Sequence, residues 1–271
     1  MTILGSIFLP SNPPERLPSI ARVADEAGLE ELWLWEDCFL NGGVSATAAA
    51  LAVTERLRVG IGIMPVPFRN VAAAAMEIAT LRRLYGERAL IGLGHGVQEW
   101  MAQVGVRAAS PMTLLREYLT AMQSLLRGET VTTDGRYVHL DAVRLDWPPS
   151  PAPEIYLGAT GPKTLQLGGE LAQATILSGG TTPEQTARAA ELTGHRTIVV
   201  FLTTATGPDA AARVARVDQC SVTGDAAEIA AGIQPWIEAG ASTVVLQPTP
   251  DEPDIEGFLR FIGSQVRPLV P

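Results

Sequence analysis

Residues 88–100 read RALIGLGHGVQEW: an apolar run from Ala89 to Leu93 opens into Gly94, His95 and Gly96, then into the polar and aromatic Gln98, Glu99 and Trp100. No helix-start signal follows until Ser110. A continuous apolar run bounded by glycine is how a strand covered on both faces reads, because neither face needs polar residues. The stretch is therefore a buried parallel strand that delivers side chains into a long loop. In folds built from parallel strands, the loops at the carboxyl ends are where ligands sit, so this loop is the first candidate site.

Working outward, strand and helix signals alternate over nearly the whole chain. Towards the amino end, strands are expected at Ile3 to Leu9, Glu31 to Trp35 and Leu57 to Ile63, with helices after Pro14, over Ser45 to Val53 and from Asn70 to about Leu84. In the third strand, bulky Leu57, Val59, Ile61 and Ile63 alternate with Gly60 and Gly62, which implies close approach by another backbone or a flat ligand. Towards the carboxyl end, Met112, Leu115, Leu119, Met122 and Leu126 recur at steps of three and four, predicting a helix with Ser110 as N-cap and Pro111 at its first position. Asp134-Gly135 between two short β-prone runs predicts a hairpin within an excursion over 128–153. The alternation then resumes with strands at Glu154 to Ala159, Ala174 to Leu177, Arg196 to Thr203 and Ser242 to Leu246, and a last helix from Ile255 to Val266. The region between Pro208 and Glu238 reads as helical. About eight alternating units in 271 residues favour a closed (β/α)8 barrel forming a single domain over 1–271, rather than an open doubly wound sheet of five to seven strands.

Composition limits what such a barrel does. A net charge of −9 and the lack of a basic face argue against nucleic acid as a partner. Apolar residues make up 46% and charged ones only 18%, a balance compatible with oligomerisation. Cys38 and Cys220 offer neither metal spacing nor a disulfide framework, so free thiols in a reducing cytoplasm are expected, with no metal. MTILGSIFLP lacks the basic segment and length of a signal peptide, and no run reaches the roughly 18 to 20 apolar residues of a membrane span.

Several expected strand ends carry chemistry. Glu36 and Asp37 follow strand two beside Trp35; a carboxylate at a barrel mouth can hold a proton near neutrality, and Glu36, closer to the strand, is the stronger candidate. His95 is the histidine placed at a strand end, flanked by glycines that leave room for a ligand, whereas His139 lies in the hairpin and His195 in a loop. Gly158-Ala159-Thr160-Gly161-Pro162-Lys163 runs from strand into helix, and Ser178-Gly179-Gly180 ends the next strand. Small-residue loops at a helix start expose amides that suit a phosphate, although neither is a P-loop or a dinucleotide fingerprint.

The stretches GLEELWLWED, ERLRVGIGIMPVPFRN, AMEIATLRRLYGERALIGLGHGVQEWMAQVG, SPMTLLREYLTAMQSLLRGETVTTDGRYV and PEIYLGATGPKTLQLGGELAQATILSGG resemble the bacterial luciferase-like flavin and deazaflavin oxidoreductases, above all the branch that uses coenzyme F420, such as methylene-tetrahydromethanopterin reductase. The resemblance runs from the first strand to about Gly180 and resumes weakly at Thr223-Gly224-Asp225 and the last helix. It implies a (β/α)8 barrel transferring hydride to or from a ring across the barrel mouth. It also implies a non-prolyl cis peptide at Gly62-Ile63 behind that ring, with Met64 following. By the same resemblance, His95 and Gln98 contact the ring or its ribityl chain, the amides of Ala159, Thr160 and Gly161, ahead of Pro162, take the phosphate, and Ser178 and Gly179 lie nearby.

Departures matter too. Glu36 and Asp37 stand where many relatives have an Asp-His pair, Val97 replaces a glutamate of the glucose-6-phosphate dehydrogenase branch, and the stretch from Ala205 to Val222 is short. The expectation is an enzyme that binds reduced F420 and reduces a small organic substrate, with Glu36 or His95 as proton donor, working as a cytoplasmic homodimer. The alternatives are an FMN-dependent monooxygenase and a non-catalytic deazaflavin carrier. A barrel lyase or aldolase would need a catalytic lysine or metal cluster at the strand ends, and only Lys163 and His95 approach that.

Overall fold

Among the described residues there are eleven strands: β1 (Ile3–Phe8), β2 (Glu31–Leu34), β3 (Arg58–Pro65), β4 (Ala89–Gly94), β5 (Val131–Asp134), β6 (His139–Val143), β7 (Ile155–Gly158), β8 (Ala174–Ile176), β9 (Thr197–Ala205), β10 (Ser221–Thr223) and β11 (Thr243–Pro248). Parallel pairing runs β9-β11-β1-β2-β3-β4-β7-β8, and β8 pairs back onto β9, so eight strands close a barrel. The computed structural model describes residues 2–194, 196–217 and 219–271; His195 lies outside the described residues. The helices are α1 (Leu17–Glu26), α2 (Gly43–Leu51), α3 (Val71–Tyr85), α4 (Gln98–Gln103), α5 (Pro111–Leu126), α6 (Pro162–Leu171), α7 (Pro183–Thr193), α8 (Ala210–Val214), α9 (Ala226–Gly232), α10 (Gln234–Glu238) and α11 (Ile255–Phe261).

Two apolar cores follow from the period-2 alternation of the strands. Outward residues such as Leu32, Leu34, Val59, Ile61, Ile91 and Leu93 pack against the helices. Inward residues, including Ile7, Trp33, Leu90, Tyr156, Phe201 and Val245, fill the barrel. Trp33 is fully buried at the centre, its ring 5.8 Å from Tyr156 and 6.0 Å from Phe201, both edge-on. The indole explains the glycine face of β3: a Cβ on Gly60 would stand 2.5 Å from the Trp33 ring. What approaches Gly60 is thus an aromatic side chain, neither backbone nor ligand. Below Trp33, its Nε1 donates to Glu31 Oε2 at 2.8 Å, and Arg58 closes an ion pair with the same carboxylate at 2.7 Å. Burial pushes the Glu31 carboxyl above its ordinary value, opposed by Arg58 and the indole N–H.

The hairpin β5-β6 forms its own two-stranded sheet, and it is tied to α5 by one residue. Glu117 accepts backbone N–H bonds from Arg136, Tyr137 and Val138 at 3.0, 2.8 and 3.1 Å. Tyr137 Oη in turn accepts from the Ser110 amide at 2.7 Å. Ser110 precedes α5 as expected, but its hydroxyl pairs with Thr113 Oγ1 at 2.8 Å and caps no backbone amide.

Three further differences have local reasons. The loop after β4 holds the helix α4, which starts on Val97 without a side-chain cap and so lacks the usual start signal. Ser221–Thr223 adds β10 to the edge of β9 inside the stretch read as helical, a three-residue strand too short to show periodicity. The last helix ends at Phe261 and continues as a π-turn over Ile262–Val266, where a Cβ on Gly263 would meet the Ala27 carbonyl at 2.4 Å.

Candidate functional site

The carboxyl ends of the strands surround a cavity of about 490 Å³ whose wall is mostly apolar, from Trp35, Ile63, Val97, Trp100 and Phe201. That size and character suit a flat ring system. Its floor is set by β3: the Gly62-Ile63 peptide is cis, the register with β4 shifts there, and both residues line the cavity. The Ile63 side chain lies across the neighbouring strand ends, where a Cβ on Gly94 or Gly158 would stand 3.1 or 2.8 Å from it. Alternation from Gly60 and Gly62 would turn Met64 inward, but the register shift between Ile61 and Met64 interrupts it; Met64 is 1% exposed in the outer core, and the expectation that it meets a ligand is corrected.

The same alternation re-sorts the carboxylates after β2. Trp33 and Trp35 face inward, with Trp35 edge-on to Phe201 at 5.5 Å. Glu36 turns to the rim, where it accepts from Arg69 Nη1 at 2.9 Å, from Arg69 Nη2 at 2.5 Å and from the Gly43 amide at 3.2 Å. Arg69 is held from its other side by Glu77 at 3.1 Å. Although Glu36 lies on the cavity wall, three donors occupy its carboxylate, two of them from the Arg69 guanidinium, so it is tied to the rim. The expectation that Glu36 is the proton donor is therefore corrected to an anchoring role. Asp37, its neighbour, also lines the cavity; burial raises its carboxyl above the ordinary value, and its side chain makes no hydrogen bond among the described residues.

On the opposite side, His95 lines the cavity with Nε2 3.3 Å from Thr164 Oγ1, while its Nδ1 is buried without a partner. Burial depresses the imidazole below its ordinary value, opposed by the Pro111 backbone as hydrogen-bond acceptor, so the neutral form is favoured. Gln98 does not reach the cavity. Its Nε2 donates to the carbonyls of His95 and Gly96, each at 3.3 Å, so it closes the loop on itself as the first residue of α4.

A second cavity of about 360 Å³ continues from the first, sharing Ala159, Thr160, Ser178 and Gly179 and adding Pro162, Gly180 and Arg188. Among the described residues the amides of Thr160, Gly161, Ser178 and Gly179 donate to no protein acceptor. The Ala159 amide is spent on the Ile176 carbonyl at 3.0 Å, which corrects its expected part in anion binding. Gly161 caps α6 but is not on either cavity wall. The whole is a groove with an apolar broad end and a polar narrow end. Residues that sequence reasoning did not single out are Trp35, Val97, Trp100 and Phe201; the spacing of Trp35 from Trp33 is the signal that would have placed it inward. Among the described residues no His, Cys, Asp and Glu group could hold a metal ion, and no helix is long and apolar enough to cross a membrane.

Comparison with known proteins agrees with this geometry. The chain is 32% identical over 175 residues to a 5,10-methylenetetrahydromethanopterin reductase of Methanolobus tindarius, covering 64% of this chain and 53% of that protein. It is 30% identical over 184 residues to an F420-dependent glucose-6-phosphate dehydrogenase of Microbacterium testaceum, covering 63% and 54%. The chain thus spans about half the length of the curated relatives it matches. Its fold superposes with a TM-score of 0.84 on the coenzyme F420 dependent tetrahydromethanopterin reductase from Methanopyrus kandleri, at 20% identity over 100% of this chain and 99% of that one. With an F420-dependent secondary alcohol dehydrogenase the TM-score is 0.88 at 19% identity, covering 100% and 99%. A family profile described as "Luciferase-like monooxygenase" matches residues 4–194. The chain belongs to the luciferase-like monooxygenase family.

Proposed function

We propose that this chain binds reduced coenzyme F420 across the barrel mouth and passes hydride to a small organic substrate. The observation that carries the reading is the continuity of the apolar cavity over Ile63 with the small-residue loops at Thr160 and Ser178. Such a groove matches a ligand with a flat ring at one end and a phosphate-bearing chain at the other. The similarity to F420-dependent relatives supports the choice of ring. The residues fit this group: Gly62, Ile63 and His95 line the apolar cavity where the ring would lie, and the unbonded amides of Thr160, Ser178 and Gly179 would take the phosphate.

When bound, the cofactor supplies the hydride. The chain's own residues do the rest. Gly62 and Ile63 would back the ring, neutral His95 would contact its edge or the ribityl chain, and the amides of Thr160, Ser178 and Gly179 would hold the phosphate, with Arg188 adding positive charge. Trp35, Trp100 and Phe201 keep water from the reacting face. Asp37 delivers the proton that accompanies hydride, because it is the acidic wall residue with no protein partner; Glu36 fixes the rim through Arg69. Acting as a cytoplasmic homodimer is part of the same proposal. Its support is the group of exposed apolar side chains Met76, Leu84 and Trp147 about one surface groove, and sedimentation would read the assembly state directly.

The test is anaerobic oxidation of reduced F420 with a panel of ketones, aldehydes and cyclic iminium compounds. Stoichiometric consumption of one acceptor supports the reading. Tight cofactor binding with no turnover on any acceptor would leave a carrier, and oxygen consumption with reduced FMN instead would move the chain to the monooxygenases.

A further inference from the structure

Outside the barrel mouth, a cavity of about 360 Å³ opens between the start of α3, the chain leading into α5 and the β5-β6 hairpin. It shares no residue with the two cavities of the groove described above. Val66, Pro67, Val106, Leu114 and Val138 give it an apolar wall. Tyr118 of α5 lines it as well. That residue is 3% exposed and its hydroxyl makes no hydrogen bond among the described residues, yet the oxygen is not one of the fully enclosed atoms without a partner. The hydroxyl is thus a buried polar group left open towards a cavity. Burial pushes the phenol above its ordinary value, so it stays protonated and offers an O–H.

The other polar groups of the lining are donors too. Asn70 Oδ1 is taken by the Ala72 amide at 2.9 Å where it caps α3, which leaves its Nδ2 without a partner. The Val71 amide, the first of α3, donates to no protein acceptor among the described residues, at the end where a helix carries partial positive charge. Arg69 also lines the cavity, but Glu36 and Glu77 already answer its charge, so it adds spare N–H groups and little net charge. Arg107 at the outer edge is exposed and pairs with no carboxylate among the described residues. Asp and Glu are absent from the described lining. A pocket with several unspent donors, an unpaired cation and no carboxylate is the complement of an anion, and its apolar wall asks that the anion carry an apolar body. We infer that this cavity is a second binding site, for a small organic carboxylate with a compact apolar body, recognised by the Tyr118 hydroxyl, the Val71 amide and Arg107. Ligand pockets span about 300 to 1,000 Å³, so this one suits a single ring or a branched chain. Through Arg69 and Glu36 the site adjoins the rim of the mouth without being part of it.

Isothermal titration calorimetry on the full chain tests this with phenylacetate, 3-phenylpropionate and 4-methylpentanoate as probes, and with phenylacetamide and inorganic phosphate as controls. The expected result is saturable one-to-one binding of at least one carboxylate. Phenylacetamide should bind at least about tenfold more weakly than phenylacetate, because its bonds to the site are no longer charge-assisted. Tyr118→Phe keeps the ring and removes the O–H, so it should weaken the best probe about tenfold. Arg107→Gln should weaken it about threefold, the smaller effect of an exposed charge. Both variants should keep the wild-type urea midpoint, since neither group has a protein partner. A lowered midpoint for Tyr118→Phe would show the hydroxyl serving the fold and overturn the inference. So would the absence of saturable binding by all three carboxylates, or a change below twofold in Tyr118→Phe. Inorganic phosphate or phenylacetamide binding as tightly as phenylacetate would overturn the assignment to an organic carboxylate. Loss of carboxylate binding at saturating F420 or FMN would put the probe in the barrel mouth and overturn the separate site.

Discussion

Replacing Arg58 by Met at the barrel floor should destabilise the protein in a way that depends on pH with a definite sign. Glu31 is 1% exposed, Arg58 lies 2.7 Å away with a third of its side chain in solvent, and Trp33 Nε1 is the other side-chain donor to the carboxylate. Stripping the partner from a buried ion pair costs about 3 to 5 kcal/mol. The remaining indole bond and the partial exposure of Arg58 put the expected loss at the lower end, about 3 kcal/mol of a total stability of about 5 to 15 kcal/mol. Burial already holds the Glu31 carboxyl above its ordinary 4.5, and Arg58 is the largest influence opposing that rise. A carboxyl raised by folding binds its proton more tightly in the native state. Its contribution is therefore full at low pH and declines as pH climbs from 4.5 through the raised native value. Without Arg58 that window extends upward, by about 1.4 kcal/mol for each further unit. Urea unfolding at pH 5 and pH 8 should show a larger deficit at pH 8. Adding Glu31→Gln should remove most of the extra deficit at pH 8. Equal deficits at both pH values, or no recovery in the double variant, would refute the reasoning.

Asp37→Asn should reduce reduced-F420 turnover at least about a hundredfold while leaving cofactor affinity within twofold, the range expected for a general acid. Glu36→Gln should instead loosen the rim, raising KM more than it lowers kcat. Gly60→Ala should cost about 1 to 3 kcal/mol in urea unfolding, since its Cβ would press on a Trp33 ring fixed by Glu31, Tyr156 and Phe201. For His95 the native imidazole is depressed by burial, so its contribution is present above the ordinary 6.5 and lost as pH falls from there through the depressed native value. Cofactor binding measured from pH 6.5 to 8 should be flat and should weaken at lower pH, and His95→Phe should remove that weakening. Arg213→Ala should cost about 3 to 5 kcal/mol, because the 3%-exposed guanidinium pairs with the buried Glu252 at 2.5 Å and fastens α8 to the chain after β11; differential scanning calorimetry reads it.

The barrel was legible because its strands are apolar on both faces and its turns are marked by Gly and Pro, a signal that repeats eight times. Where the reading stopped short, the information was tertiary. The glycines of β3 announced a close approach, yet only the packed barrel identifies the Trp33 indole as what approaches. The order of Glu36 and Asp37 in the chain suggested that the residue nearer the strand faces the ligand; Arg69, distant in sequence, instead binds Glu36 at the rim. Ala159 reads as one of several equivalent loop amides, and it is excluded only by its bond to the β8 carbonyl of Ile176. Gln98 and Met64 were carried by resemblance of neighbouring residues, which fixes position along the chain but not the face a side chain takes.

The most direct test of the central claim is equilibrium titration of the purified protein with F420 and with FMN in parallel, followed by quenching of tryptophan fluorescence. Trp35 and Trp100 line the cavity and Trp147 is remote on the surface, so mouth binding has an internal reporter. The account predicts saturable quenching by F420, much weaker binding of FMN, and most of the F420 signal lost in Trp35→Phe with affinity kept within a few fold. Binding of neither ligand, or F420 quenching left unchanged in amplitude by Trp35→Phe and Trp100→Phe together, would contradict the placement of the cofactor across the barrel mouth.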